Sequence, residues 1–133
     1  MDRLIGWELF WSASGRLARA PFLICSAILI AAAAFYETWV PRLLHWLTGW
    51  VIYPLLLYCG CCLISKRLHD RGRSGWWAAL VLLALIAVWP SPHGAGGFIF
   101  ALVLAWAAIE LGVMNGEDGA NRFGPSPLAG QPA

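Results

Sequence analysis

The chain has 133 residues, of which 60% are hydrophobic and only 12% are charged, and its mean hydropathy is +0.68. A water-soluble domain of this size could not bury so much apolar surface, so the composition indicates an integral membrane protein. The net charge of +2 is small, and most basic residues flank apolar runs instead of forming a solvated stripe. This pattern argues against a nucleic-acid partner.

Residues 1–20 mix aromatic and apolar side chains with charged ones. The mixture is too polar to span a bilayer and too aromatic for a free chain in water, so it predicts a short segment in the headgroup layer. If a helix starts at Ser14, Arg16 and Arg19 share one of its faces. Because the first apolar run begins only at Pro21, we expect no cleavable signal peptide and a retained N-terminus.

The rest of the chain predicts an all-α fold, an integral membrane four-helix bundle followed by an irregular C-terminal tail. The four apolar runs that predict spans within the domain 21–114 cover about residues 21–39, 47–65, 76–89 and 97–114. Pro54 is expected to allow a kink in the second. The third gives only about 20 Å of helix against about 30 Å of hydrocarbon, and if it failed to cross, the basic segments would be split across the membrane. A tight turn is predicted over 90–96, and the tail 115–133 is expected to end in disordered residues.

The basic residues predict the orientation of the bundle. With four spans, only Arg42 lies on one side, and eight basic residues lie on the other: Arg3, Arg16, Arg19, Lys66, Arg67, Arg71, Arg73 and Arg122. Cytoplasmic loops carry the excess of Lys and Arg, so both termini are expected in the cytoplasm.

The same topology brings three polar segments to one surface, at residues 14–19, 66–75 and 116–127. Together they offer five guanidinium groups, two carboxylates, an imidazole and an amide, from Arg16, Arg19, Arg67, Arg71, Arg73, Asp70, Asp118, His69 and Asn121. This convergence is the main functional feature that the sequence predicts.

These segments also carry a family resemblance. The motifs are Ser14-Gly15-Arg16-x-x-Arg19-x-x-Phe22, Arg67-x-His69-Asp70-x-Gly72-x-Ser74-Gly75-Trp76, and Gly116-x-x-Gly119-x-Asn121-Arg122-Phe123-Gly124-Pro125-x-Pro127. They resemble those of the DUF805 family, small and mostly bacterial inner-membrane proteins without an established biochemical role. The sequence departs from the family pattern at Leu23, where a tryptophan is frequent, and at Ser126, where an acidic residue is common. The resemblance implies four spans and a bacterial inner-membrane location, and it implies no activity.

Two interpretations of the polar cluster are open. In the structural one, the arginines follow the inside-positive rule, Asp70 pairs with one of them, and Ser74 caps the third helix. In the binding one, the cluster holds a phosphate or carboxylate, most simply an anionic lipid headgroup. The residues assigned to such an anion site are Arg16, Arg19, Arg67, His69, Asp70, Arg71, Arg73 and Asn121.

Enzyme and transporter functions are the remaining alternatives. His69 could act as a general base, or oxygen ligands from Asp70, Glu117, Asp118 and Asn121 could bind magnesium. The sequence, however, has no paired-aspartate signature of membrane phosphotransferases and no nucleophile with an evident base. Glu110 is an intramembrane carboxylate and therefore a transport candidate, although a salt bridge to Arg16, Arg67 or another arginine of the cytoplasmic side is favoured.

The cysteines Cys25, Cys59, Cys61 and Cys62 all lie in apolar runs, with spacings that favour small packing side chains over a disulfide framework or a zinc site. We therefore expect no metal and no cofactor. Small residues at 31–34, Gly60 and Gly112 permit close helix contacts within one chain or in a homo-oligomer. The expected function is a non-enzymatic membrane role in which the cluster stabilises the bundle and contacts lipids; a purely structural or partner-binding protein, a small transporter or channel subunit, and a lipid-modifying enzyme are the alternatives.

Overall fold

The structure, a computed structural model, describes residues 8–88 and 93–129. Within these residues the fold is all-α, and the only β feature is an isolated bridge between Asn121 and Gly124. The helices are α1 (Glu8–Trp11), α2 (Arg19–Trp39), α3 (Arg42–Asp70), α4 (Trp77–Val88) and α5 (Gly94–Ala107), and α5 continues directly into a π-helical segment (Ala108–Val113). The predicted all-α fold class is confirmed.

Three of the described helices are long and apolar enough to cross a membrane: α2 with 21 residues, α3 with 29, and α5 together with the π-helical segment with 20. The fourth, α4, is equally apolar but has only 12 residues, which corresponds to about 18 Å of helix. Since α2 packs on α3, α3 on α4 and α4 on α5, the apolar helices form one bundle. The chain is therefore an integral membrane protein built as a helical bundle.

The helices extend beyond several of the predicted span limits. α3 begins at Arg42 and ends at Asp70, five residues outside the predicted 47–65 on each side. Helical backbone satisfies its own hydrogen bonds, so it continues from the hydrocarbon into the polar layer at little cost. Pro54 lies inside α3 without interrupting it.

The predicted turn between the third and fourth spans is partly replaced by helix, because α5 begins at Gly94, which has a φ of +64°. Residues 89–92, which include the predicted end of the third span, and the predicted disordered end of the tail at 130–133 lie outside the described residues.

No helix starts at Ser14, so the condition under which Arg16 and Arg19 would share a helix face is not met. Gly15 has a φ of +92°, residues 12–18 are not helical, and α2 begins at Arg19. In this non-helical segment Leu17 donates its N–H to the Lys66 carbonyl, 3.2 Å away. Arg16 consequently does not share a helix face with Arg19.

The buried core lies at the end of the bundle that carries the polar segments. It is formed by Leu9, Leu17, Phe22, Cys25, Leu63, Leu68, Ala78, Val81, Ala107 and Leu111. Toward the opposite end large apolar side chains are exposed, including Trp39, Trp46 and Trp50, as lipid contact allows. The four cysteines are free thiols, three of them buried.

Candidate functional site

The three polar segments, residues 14–19, 66–75 and 116–127, meet at one end of the bundle and form a structure that we call the polar cap. Its centre is Asp70, the last residue of α3, which is only 3% exposed. Arg16 approaches Asp70 Oδ1 with Nε and Nη2, both at 3.0 Å, and Arg67 donates from Nη1 to Oδ2 at 2.5 Å. Both carboxylate oxygens are therefore used inside the protein.

Arg16 also ties the N-terminal segment to the tail. Its Nη1 donates to the carbonyl oxygens of Gly119, at 2.6 Å, and Gly124, at 3.3 Å, and its Nη2 donates to that of Glu117, at 2.7 Å. The side chain is 1% exposed. Because carbonyl oxygens and a carboxylate take these donors, the guanidinium holds the tail in place from within.

Arg67 performs the same role toward α5. It is fully buried and donates from Nε to the Leu111 carbonyl at 2.8 Å, from Nη2 to the Met114 carbonyl at 2.6 Å, and from Nη1 to the Leu17 carbonyl at 3.3 Å. The last carbonyls of a helix have no partner within the helix, and Leu111 and Met114 lie at the end of the π-helical segment. The guanidinium supplies the missing donors.

Two glycines allow the tail to approach α3 so closely. A Cβ on Gly116 would lie 1.9 Å from Asp70 Oδ2, and one on Gly72, whose φ is +69°, would lie 2.1 Å from Glu117 Oε1. The Glu117 N–H donates to the Asp70 carbonyl at 2.8 Å. The carboxylates of Asp70 and Glu117 therefore occupy the space that any larger residue would need.

His69 and Asn121 join the central loop to the tail. Asn121 donates from Nδ2 to the His69 carbonyl at 2.9 Å and to Glu117 Oε2 at 2.8 Å, while its Oδ1 accepts from the Phe123 N–H at 2.9 Å. The His69 ring stacks on Phe123 with centroids 3.9 Å apart, and its Nδ1 lies 3.0 Å from the Gly15 carbonyl oxygen.

Glu110, on the π-helical segment, pairs with Arg71 and Arg73, and not with Arg16 or Arg67. Its Oε1 is 3.2 Å from Arg71 Nη2 and 2.8 Å from Arg73 Nε. Arg71 also donates to the Asn115 carbonyl, and Arg73 lies over the Trp106 ring at 5.7 Å.

The predicted site residues thus divide into an inner and an outer group. Asp70, Arg16, Arg67 and Asn121 are held by internal partners, whereas the outer arginines keep solvent contact: Arg19 is exposed, and the side chains of Arg71 and Arg73 are 20% and 42% exposed. Arg19 donates from Nη1 to the Val113 carbonyl at 3.0 Å. Asp118 is exposed, and together with Arg16 and Arg19 it lines a groove on the surface of the polar cap.

In the part of the chain that the structure describes, no group of three or more His, Cys, Asp and Glu side chains is arranged to hold a metal ion. Sequence reasoning considered Glu117 only as a magnesium ligand, and it missed the close contact at Gly116. The spacing of the third motif indicated that a glycine is needed at position 116. It did not indicate that this glycine faces the Asp70 carboxylate.

A second polar cluster, at the other end of the α2–α3 pair, was also missed. Tyr53 donates its hydroxyl to Glu37 and lies 2.9 Å from His45 Nε2, which is 3.4 Å from Glu37 Oε2. The Tyr36 ring stacks on His45 at 4.7 Å, and its hydroxyl lies 2.9 Å from Thr48 Oγ1. The available signal for this cluster was the position of His45 eight residues before Tyr53 on the same helix.

Fold and site together define a class, that of small helical membrane proteins whose polar ends fold into one internally paired cap. The family model described as "Protein of unknown function (DUF805)" matches residues 10–125, and the chain belongs to this family. It is 32% identical to the uncharacterized protein YiiR of Escherichia coli K12, over 88% of this chain and 86% of YiiR. It is also 32% identical to the inner membrane protein YhaH of the same organism, over 68% of this chain and 69% of YhaH. No solved structure matches the chain.

Proposed function

We propose that this chain is a non-enzymatic multi-pass protein of the bacterial inner membrane, with both termini in the cytoplasm, whose polar cap locks the bundle and forms its cytoplasmic binding face. The single observation that carries this proposal is the shared use of Asp70 by Arg16 and Arg67, which joins two of the polar segments, while Arg16 also donates to carbonyls of the third. The name of YhaH supports the location, and the eight basic residues on one side support the orientation.

The internal pairing also favours this role over the alternatives. Glu110, the transport candidate, is engaged by two arginines, so it contributes to the cap. His69, the candidate base, is held between Gly15 and Phe123 as part of the same contacts. Both side chains thus have structural partners that account for their positions.

The orientation is tested with two reporters fused to the C-terminus. A green fluorescent protein matures in the cytoplasm and an alkaline phosphatase is active only in the periplasm, so we expect fluorescence and no phosphatase activity. The same reporters fused after Trp39 provide the control, since that point lies at the opposite end of α2 and should give the reverse result. An active C-terminal phosphatase would overturn the orientation and, with it, the cytoplasmic binding face.

A second candidate function is binding of an anionic lipid headgroup by the outer arginines, Arg19, Arg71 and Arg73. The observation that favours it is that two arginines share one carboxylate, Glu110, which leaves a positive charge on a partly exposed surface. Arginine binds phosphate through two parallel hydrogen bonds, and a basic residue near an anionic membrane surface contributes about 1 kcal/mol.

Native mass spectrometry of the detergent-purified protein with added phosphatidylglycerol or cardiolipin tests this candidate and also reads the oligomeric state. We expect Arg19→Gln and Arg73→Gln each to lower lipid retention about fivefold, whereas Arg42→Gln, the matched charge change at the opposite end, has no effect. Thermal midpoints equal to wild type would show that the variants are folded. Retention equal in all three variants would overturn headgroup binding and leave the structural role of the cap unaffected.

A further inference from the structure

A second groove on the cap lies on the other side of His69, between the end of α3 and the start of α4. It has a volume of about 370 Å³, and its polar lining comes from Ser65, His69 and Ser74, with the rings of Trp76 and Phe123 beside them. Among the described residues that line it there is neither a lysine nor an arginine. The groove therefore differs in charge from the surface formed by the outer arginines.

The environment of His69 determines which of its nitrogens faces this groove as an acceptor. Nδ1 lies 3.0 Å from the Gly15 carbonyl oxygen, and a carbonyl can only accept, so Nδ1 carries the proton. In the neutral imidazole Nε2 is then an acceptor with a free lone pair. It lies 3.0 Å from the position that a Cβ on Gly75 would take, so the absence of a side chain at Gly75 lets Nε2 and the Ser65 hydroxyl both approach this glycine. Stacking on Phe123 fixes the ring plane.

The donors that an anion would need are already used. The N–H groups of Trp76, Trp77 and Ala78, at the start of α4, donate to Ser74 Oγ, the Ser74 carbonyl and the Gly75 carbonyl at 3.4, 3.3 and 3.0 Å. The helix start therefore has few free N–H groups for a phosphate. Ser65 Oγ lies against Gly75, 2.1 Å from where its Cβ would be, and adds a hydroxyl oxygen to the acceptor set.

We propose that this groove binds the primary ammonium group of an aminophospholipid headgroup. His69 Nε2 and the Ser65 hydroxyl accept its N–H groups, and the exposed ring of Trp76 supplies an electron-rich face to the cation. A lipid is the occupant that fits, because Trp76 is 86% exposed at the start of an apolar helix, where aromatic rings meet the headgroup layer. The site does not involve the outer arginines. It binds the cationic part of a headgroup, whereas the outer arginines would bind an anionic part.

The test compares phosphatidylethanolamine with phosphatidylcholine, which has the same phosphate but no N–H donor, by native mass spectrometry of the full-length protein. We expect roughly tenfold stronger retention of phosphatidylethanolamine by wild type, because its ammonium group donates two hydrogen bonds that the choline headgroup cannot make. Equal retention of the two lipids by wild type would overturn the proposal, whatever the behaviour of the variants.

Two variants and a control locate the site. His69→Asn retains an amide that can donate to Gly15 and removes Nε2, and Ser65→Ala removes only the hydroxyl, so each should reduce the preference about threefold. Ser126→Ala, a serine change elsewhere on the cap, should leave it unchanged. A preference undiminished in both groove variants would overturn the assignment to this groove. Free ethanolamine in equal concentration should not displace the lipid, and displacement would overturn the lipid as occupant.

Discussion

Asp70 pairs with two arginines that have almost no contact with solvent, and its removal would leave both guanidinium groups buried without a carboxylate partner. In Asp70→Asn, Arg16 and Arg67 keep their carbonyl acceptors but lose their only shared carboxylate, so we expect a loss of about 3–5 kcal/mol in the free energy of unfolding. Asp118→Asn, at an exposed position of the same cap, should change it by less than about 0.5 kcal/mol. Thermal unfolding in detergent measures both, and equal midpoints would contradict the central role of Asp70.

Gly116 provides a steric test of the same centre. A methyl group here would meet Asp70 Oδ2 at 1.9 Å, so Gly116→Ala must displace the carboxylate or the tail and should cost about 1–3 kcal/mol. Gly96→Ala is the matched control, because a Cβ at Gly96 has no neighbour within 4 Å and alanine is the better helix former. The thermal midpoints of the two variants are compared. A Gly116→Ala variant as stable as Gly96→Ala would show that the tail does not pack closely against Asp70.

At the residue scale, the sequence predicts which side chains meet but not which way they point. The number and length of the apolar runs bring the segments of Arg16, Asp70 and Asn121 to one surface, and they do meet. Arg67 faces backbone carbonyls because the π-helical end near Leu111 leaves them without partners inside the helix. The pattern of side chains in the sequence does not predict such a π-helical end, so it does not predict where the guanidinium points.

The α2–α3 pair is fastened at its far end by Tyr36, which is 8% exposed and stacks on His45. Its hydroxyl donates to the His45 carbonyl at 3.1 Å and contacts Thr48 Oγ1 at 2.9 Å. Tyr36→Phe keeps the ring and removes these bonds, so we expect a loss of about 0.5–1.5 kcal/mol. Phe35→Leu, at an exposed neighbouring position, is the control. Chemical denaturation in mixed detergent micelles measures the difference, and a Tyr36→Phe variant as stable as wild type would exclude this contact as a fastening.

At the element scale, the apolar runs predict the existence of the helices, but tertiary contacts set their ends. Polar residues from Lys66 to Asp70 predicted the end of a span, yet α3 continues through them because buried arginine and carboxylate pairs hold its last turn. Ser14 has the chemistry of a helix cap, yet non-helical backbone at Leu17 gains a hydrogen bond to α3 instead. At Ser14, therefore, local propensity lost to a contact with a distant segment.

The whole molecule is packed unevenly. The core and most of the ion pairs lie at the cap end, while the opposite end exposes large side chains such as Trp39 and Trp50. A four-helix membrane bundle has little hydrophobic driving force between its helices, because lipid is as apolar as leucine. The bilayer alone does not determine how the helices are arranged. The polar cap and the second polar cluster, around Tyr36 and His45, therefore fix their arrangement.

The short α4 makes the stability of the whole bundle depend on bilayer thickness. Its 12 residues extend about 18 Å against a hydrocarbon core of about 30 Å. A thicker bilayer would place the polar connection near His93 in hydrocarbon. Each ångström of mismatch costs roughly a fraction of a kcal/mol. We expect the thermal midpoint in phosphatidylcholine vesicles to fall from myristoyl through oleoyl to erucoyl chains. Because the headgroup is constant, a midpoint that rises with chain length would show that α4 and its connection match a full-thickness bilayer.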